Sequence, residues 1–184
     1  MKFEETTLPG VVLVEPDVHR DDRGFFLEFF HERRYAEAGI EARFVQDNHS
    51  RSMKGTLRGL HLQHPHAQAK LVRVLSGSVF DVAVDVRVGS PHFGRWVGFE
   101  LTAESQHQLW VPVGFAHGFA VTSDTADFEY KCTDFYAPDC ELVVRWDDPA
   151  IGIEWPIDAP TLSPRDAGAP LLADLTERLP RYEG

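Results

Sequence analysis

From Val79 to Val88 the chain alternates. Phe80, Val82, Val84, Val86 and Val88 hold the even positions, and Asp81, Asp85 and Arg87 fall among the odd ones. A period of two with β-branched residues on one side specifies a strand with one buried face, because a helix would scatter the same valines around its circumference. Lys70–Leu75 reads as the preceding strand and Ser76-Gly77 as a turn, which predicts a hairpin over 70–88. Further short β-runs recur between turn signals at Val11–Glu15, Gly24–Phe30, Arg43–Ser50, Gly94–Leu101, Gln106–Val111, Gly118–Val121, Asp127–Cys132 and Leu142–Trp146. About nine or ten strands with little helix make an all-β sandwich or barrel. The 14 Gly and 12 Pro suit the many turns that such a fold needs. Helices are expected only at the periphery, over His31–Ala38, closed by Gly39, and over Leu171–Arg178, stopped by Pro180. Asp147–Pro170 reads as an ordered loop, since Ile151, Ile153, Trp155 and Ile157 alternate through it.

At 184 residues the expected organisation is a single domain over 1–184. An N-terminal arm is expected over about residues 1–50 and a helical C-terminal segment over about 167–184. No apolar run is long enough to span a membrane. The start, MKFEETTLPG, lacks the apolar core of a secretory signal, so a cytoplasmic protein is expected. A net charge of −11 argues against nucleic acid as a partner, because a basic face supplies most of that affinity. An anionic small molecule remains compatible, since a few local Arg and Lys can outweigh the global field inside a pocket. Cys132 and Cys140 lie eight apart with no metal-type spacing, and reduced thiols are expected, a single disulfide being the alternative.

Four constellations could carry chemistry. The first is Arg58-Gly59-Leu60-His61-Leu62-Gln63-His64-Pro65-His66, followed by Lys70 and Gly77. On a strand His64 and His66 would share a face, which suits a Zn or Fe site, and the pattern is similar to the first cupin motif. The position of that motif's carboxylate is held by Lys70, whose ammonium repels a cation, and Pro65 breaks the strand. No metal is therefore expected, and His64 and His66 read as loop histidines. The second is Pro112-Val113-Gly114-Phe115-Ala116-His117, similar to the second cupin motif, Pro-x-Gly-x-x-His. Together the two suggest a cupin-type jelly roll with a broken ligand set and a few short peripheral helices.

The third is a spread of candidate acids and bases: His61, His117, Tyr130, Tyr136 and Asp166. A carboxylate beside a histidine fixes its tautomer and strengthens it as a base near neutral pH, though the sequence does not bring Asp166 to His61. The fourth sets positive charge beside aromatics in Arg23-Gly24-Phe25-Phe26-Leu27-Glu28, with Gln46-Asp47-Asn48 ahead of Arg58. An Arg fork binds phosphate and an aromatic ring stacks on a base; a solvated turn with core phenylalanines is the plainer alternative.

These blocks, with Lys70-Leu71-Val72-Arg73, Tyr130-Lys131, Gly152-Ile153-Glu154-Trp155-Pro156 and Leu162-Ser163-Pro164-Arg165-Asp166-Ala167, run in order through nearly the whole chain. In them the chain resembles the dTDP-4-dehydrorhamnose 3,5-epimerase family of sugar-nucleotide epimerases. The resemblance implies a metal-free, cofactor-free jelly roll, usually a homodimer, acting on a dTDP-4-keto-6-deoxy sugar. It implies His61 as general base supported by Asp166, Tyr130 as the opposing acid, and Lys70 as the cation neutralising the enolate. It also implies Arg23 and Arg58 on the pyrophosphate, and Phe26 and Glu28 on the thymidine from the other subunit's N-terminal arm. Gln46, Asn48, His117, Tyr136 and Arg165 would line the pocket. Two departures are Ala69, where many relatives have Gly, and Arg165, where some have Lys. Epimerisation at C3 and C5 in dTDP-L-rhamnose synthesis is the implied reaction. The alternatives are a single epimerisation at C3 or C5 in a specialised deoxysugar pathway, a 3,4-ketoisomerase, and a cupin that binds a ligand or metal without catalysis.

Overall fold

The alternating run forms a strand, but both of its faces are buried. A computed structural model describes residues 1–183. In chain order its strands are β1 (Lys2–Glu5), β2 (Val12–Glu15), β3 (Val18–Asp21), β4 (Gly24–Leu27), β5 (Gln46–Met53), β6 (Leu57–Gln63), β7 (Lys70–Ser76), β8 (Ser78–Asp85), β9 (Trp96–Thr102), β10 (Gln108–Val111), β11 (Phe115–Val121), β12 (Thr125–Cys132) and β13 (Glu141–Val143). Helix α1 (Glu32–Glu37) precedes β5, and α2 (Pro164–Ala167) follows β13. Two antiparallel sheets face each other, a six-stranded one in the order β1-β2-β10-β7-β12-β5 and a five-stranded one in the order β13-β6-β11-β8-β9. This is the cupin-type jelly roll. β3 and β4 form a separate two-stranded ribbon.

The expected hairpin over 70–88 is not one. β7 pairs with β10 and β12, whereas β8 pairs with β9 and β11, so the two consecutive strands lie in opposite sheets. Gly77, at φ +78°, carries the chain from one sheet to the other, and a Cβ there would stand 2.0 Å from the carbonyl oxygen of Thr125. A tight turn between two β-runs reads the same in sequence whether the strands pair or cross. The single buried face also needs correcting. Val82, Val84 and Val86 are fully buried, as expected, but under Ile151, Leu172, Leu175 and Leu179 of the C-terminal segment. Each contributes roughly 1.5–3 kcal/mol by leaving water. The odd face, with Val79, Asp81 and Ala83, is the one that points between the sheets.

That inter-sheet core is apolar at its centre. Phe119 of β11 stacks on Phe128 of β12 with centroids 4.1 Å apart, joining the two sheets, and Phe128 in turn lies 6.1 Å from the rings of His117 and Tyr130. The outer face of the six-stranded sheet is covered by Tyr35 of α1 and Ile40, packed on Val12, Val14, Leu71 and Trp110. At the C-terminal end the expected α-helix over Leu171–Arg178 is a short 3₁₀ turn at Leu172–Leu175. Leu172 and Leu175, spaced by three, both reach the core in a helix with three residues per turn. The stretch 147–163 forms no strand, and Ile151, Ile153 and Trp155 pack it onto the five-stranded sheet. No helix of the described residues is long and apolar enough to cross a membrane. Cys132 and Cys140 are unpaired.

Candidate active site

The site begins with an irregularity in β6. Against β11, Leu57 pairs with Ala120, Arg58 with Phe119 and His61 with His117. One more residue therefore lies on β6 than on β11 between the last two pairs, which is a β-bulge. In a regular strand Arg58 and His61 would point to opposite faces; the extra residue turns both inward, beside His117. The bulge centres on Gly59, at φ +136°, where a Cβ would stand 2.6 Å from the Cα of Gly118. Only glycine meets both demands.

His61 Nε2 lies 2.7 Å from Oδ1 of Asp166. Asp166 sits in α2, started by Pro164 and capped by Ser163, whose Oγ accepts from the Asp166 amide at 3.1 Å. Burial raises the Asp166 carboxyl, but the hydrogen bond and charge of His61, with Ser163 and the Gly59 N–H, outweigh it and hold the group below the usual carboxylate range. An ionised Asp166 can only accept, so Nε2 donates to it and Nδ1 is left with the free lone pair. The His61 side chain is 29% exposed and that of Asp166 4%, so the imidazole reaches the cavity while its carboxylate does not. A carboxyl lowered in the fold stabilises it above the unfolded value, near pH 4, and loses that contribution as pH falls through the folded value. The stability difference between the wild type and Asp166→Asn, measured by urea unfolding, is expected to shrink between about pH 6 and about pH 3. A constant difference across that range would show that the carboxylate's charge contributes nothing.

The opposite sheet supplies the second set. Lys70 opens β7, and its Cα partner on β12 is Cys132; Tyr130, two residues earlier on the same face, pairs with Asn48 of β5. Lys70 Nζ lies 5.7 Å from the centroid of the Tyr130 ring. Among the described residues no carboxylate comes within 4.0 Å of that ammonium. Burial pulls the Lys70 pKa down, against the counter-pull of Cys132, Glu141 and Asp81. Burial raises the Tyr130 phenol, as do Cys132 and Glu141, which keeps its proton on. On the floor, His117 Nε2 lies 3.0 Å from both carboxylate oxygens of the fully buried Asp81. Burial pushes Asp81 up, partly offset by His117 and Lys70. Arg58 donates through Nε to Ser52 Oγ at 3.0 Å.

The rim carries Gln46, Asn48, Tyr136 and Arg165. Gln46 Nε2 donates to Asn48 Oδ1 at 3.1 Å, and its Oε1 accepts from the Tyr136 amide at 2.8 Å. Tyr136 Oη donates to Glu141 Oε2 at 2.8 Å, and Arg165 pairs with the same oxygen. Sequence reasoning missed Glu141, which has no motif around it, and Gln63, which stands inside a quoted motif without a role. Three of the expected residues lie elsewhere. Arg23 is on the β3–β4 ribbon paired with Asp21, Glu28 follows the ribbon and pairs with Arg34, and Phe26 is 73% exposed on it. None of their contacts reaches this chain's own cavity. His66, outside the cavity, stands 3.6 Å from Asp134.

An imidazole tied to a carboxylate on one sheet, facing a phenol and an ammonium on the other, can move protons on both sides of a bound carbon acid. Comparison with known proteins agrees. A family described as dTDP-4-dehydrorhamnose 3,5-epimerase matches residues 5–174. The dTDP-4-dehydrorhamnose 3,5-epimerase of Pseudomonas aeruginosa is 54% identical over 95% of this chain and 97% of its own length. The crystal structure of a dTDP-6-deoxy-D-glucose-3,5-epimerase from Legionella pneumophila, in complex with dTDP-4-keto-L-rhamnose, is 52% identical with a TM-score of 0.97, covering 100% of this chain and 99% of that one. NovW, a 4-keto-6-deoxy sugar epimerase from the novobiocin cluster of Streptomyces spheroides, is 41% identical with a TM-score of 0.96, covering 99% and 94%. The chain belongs to the dTDP-4-dehydrorhamnose 3,5-epimerase family.

Proposed function

We propose that the protein epimerises dTDP-4-dehydro-6-deoxy-D-glucose at C3 and C5 to give dTDP-4-dehydro-L-rhamnose. The observation that carries this reading is the His61–Asp166 pair on one sheet opposite Lys70 and Tyr130 on the other, in a chain of this family. The protons at C3 and C5 are both α to the C4 ketone. His61 Nδ1 takes one of them, and the electron pair moves into the ring to leave an enolate with its charge on O4. The Lys70 ammonium stabilises that charge. Tyr130 then returns a proton to the same carbon from the opposite face, inverting it. The phenolate and imidazolium exchange protons with water, and the cycle repeats at the second carbon. The reaction is redox-neutral overall, and proton transfer alone completes it.

Arg58 is suited to the pyrophosphate, and Gln46, Asn48, His117, Tyr136 and Arg165 to the sugar and nucleoside. Arg23, Phe26 and Glu28 sit on or beside a projecting ribbon with no contact to their own cavity. This supports a homodimer in which each arm completes the other subunit's site, Arg23 on the pyrophosphate and Phe26 and Glu28 on the thymidine. Two unpaired cysteines suit a reducing compartment, and we place the reaction in the cytoplasm.

The deciding experiment is incubation with dTDP-4-keto-6-deoxyglucose in heavy water, followed by NMR at C3 and C5. Deuterium at both carbons, in a product that a ketoreductase converts to dTDP-L-rhamnose, is expected. Deuterium at one carbon would identify a single epimerase. Exchange at neither would overturn the assignment.

A further inference from the structure

Gln63 lies two residues after His61 on β6, with its side chain buried among loop backbone rather than apolar groups. Its amide is fully engaged. Nε2 donates to the carbonyl of His66 at 2.8 Å and to that of Phe135 at 3.2 Å, and Oε1 accepts from the amide of Ala137 at 2.8 Å. One side chain thus ties the segment between β6 and β7 to the segment after β12. Both have reason to stay where they are put. His66 stands at φ +60°, a region that a residue with a side chain adopts rarely, and its carbonyl is one of the two that Gln63 holds. Phe135 and Ala137 flank Tyr136, which is half exposed and is held by Gln46 through its amide and by Glu141 through its hydroxyl.

We propose that Gln63 is a positioning residue for the nucleotide end of the site. By holding the backbone on both sides of Tyr136, it sets that ring against the bound nucleoside diphosphate. The inference rests on the epimerase reading above and concerns binding rather than proton transfer. It follows from satisfiability: among the described residues no other single side chain reaches both sides of Tyr136, and a neutral amide offers donors to two carbonyls and an acceptor to an N–H. Glutamate at the same position keeps the acceptor for Ala137 but turns a second acceptor toward the carbonyls of His66 and Phe135.

The test uses the full chain, dTDP as probe, and calorimetry beside deuterium exchange. Gln63→Glu is expected to weaken dTDP binding about tenfold, the scale of two lost hydrogen bonds. Turnover at saturating sugar nucleotide should stay at the wild-type level, because only uniform binding has been removed. In a Tyr136→Ala background the same substitution should cost no further affinity, since Gln63 then has nothing left to position. Full additivity of the two substitutions overturns the proposal, as does a loss of turnover at saturation with dTDP binding unchanged. Should the glutamate prevent folding, Gln63→Met, similar in length and without the amide, gives the same readings. A wild type that binds dTDP but exchanges no deuterium would overturn the epimerase reading while the binding cycle still decides the role of Gln63.

Discussion

His61→Ala should abolish deuterium exchange at both C3 and C5 while dTDP still binds. A positioned general base contributes typically 10²–10⁴-fold. If one imidazole serves both carbons, net double epimerisation falls by at least the whole of that factor. His117, its neighbour across the strands, has Nε2 committed to Asp81, and it sits deeper in the floor. The substitution also removes the imidazole donor from the buried Asp166, which keeps only Ser163 and the Gly59 N–H, so the variant should unfold more easily by about 1–3 kcal/mol. The pyrophosphate and nucleoside contacts proposed above do not involve His61, so calorimetry with dTDP should give near wild-type affinity. Exchange that persists at either carbon would show that the base for that carbon is another group. Lost dTDP binding in a folded variant would count against the whole arrangement.

Lys70→Met should lower turnover about a hundredfold or more, the usual consequence of removing one group that stabilises an oxyanion, with a smaller effect on affinity. Stability should move the other way or not at all. Lys70 is half-buried, burial works against its charge, and no carboxylate lies within ion-pair distance among the described residues, so the fold gains little from the ammonium. A thioether of similar length removes the desolvation cost and keeps the volume. A variant that melts no lower than the wild type yet turns over far more slowly is the signature of a charge kept for chemistry at the expense of stability. Unchanged turnover would remove Lys70 from the reaction.

Much of this site was legible because its residues lie in short blocks of unusual composition. Arg58 to Gln63 and Pro112 to Phe119 stand out in any reading, and Lys70 identified itself by being wrong for a metal. What the chain did not announce was parity. β6 was not expected as a strand, since its bulge breaks the alternation by which strands are recognised, and that same bulge turns Arg58 and His61 to one side. The valines of β8 pointed to a buried face correctly, yet to the outer one, because a layer of C-terminal loop covers the sheet and lets its interior face carry aspartates. Short edge strands β1 and β3 went unseen for lack of apolar residues. Glu141 carried no signal at all, since a lone glutamate after a cysteine gains meaning only when Tyr136 and Arg165 arrive from elsewhere in the chain.

The stacked rings of Phe119 and Phe128 are the shim between two halves of a proton-transfer machine. The proposed base belongs to one sheet and the proposed acid to the other, so the spacing between them depends on this core packing as well as on the groups that line the slot. Trimming either ring lets the slot narrow or rock. Stereochemical fidelity, measured as the share of product inverted at both carbons, thereby becomes a property of the hydrophobic interior, and drift in that interior over evolution is a route by which a double epimerase could become a single one with every polar group in its pocket unchanged.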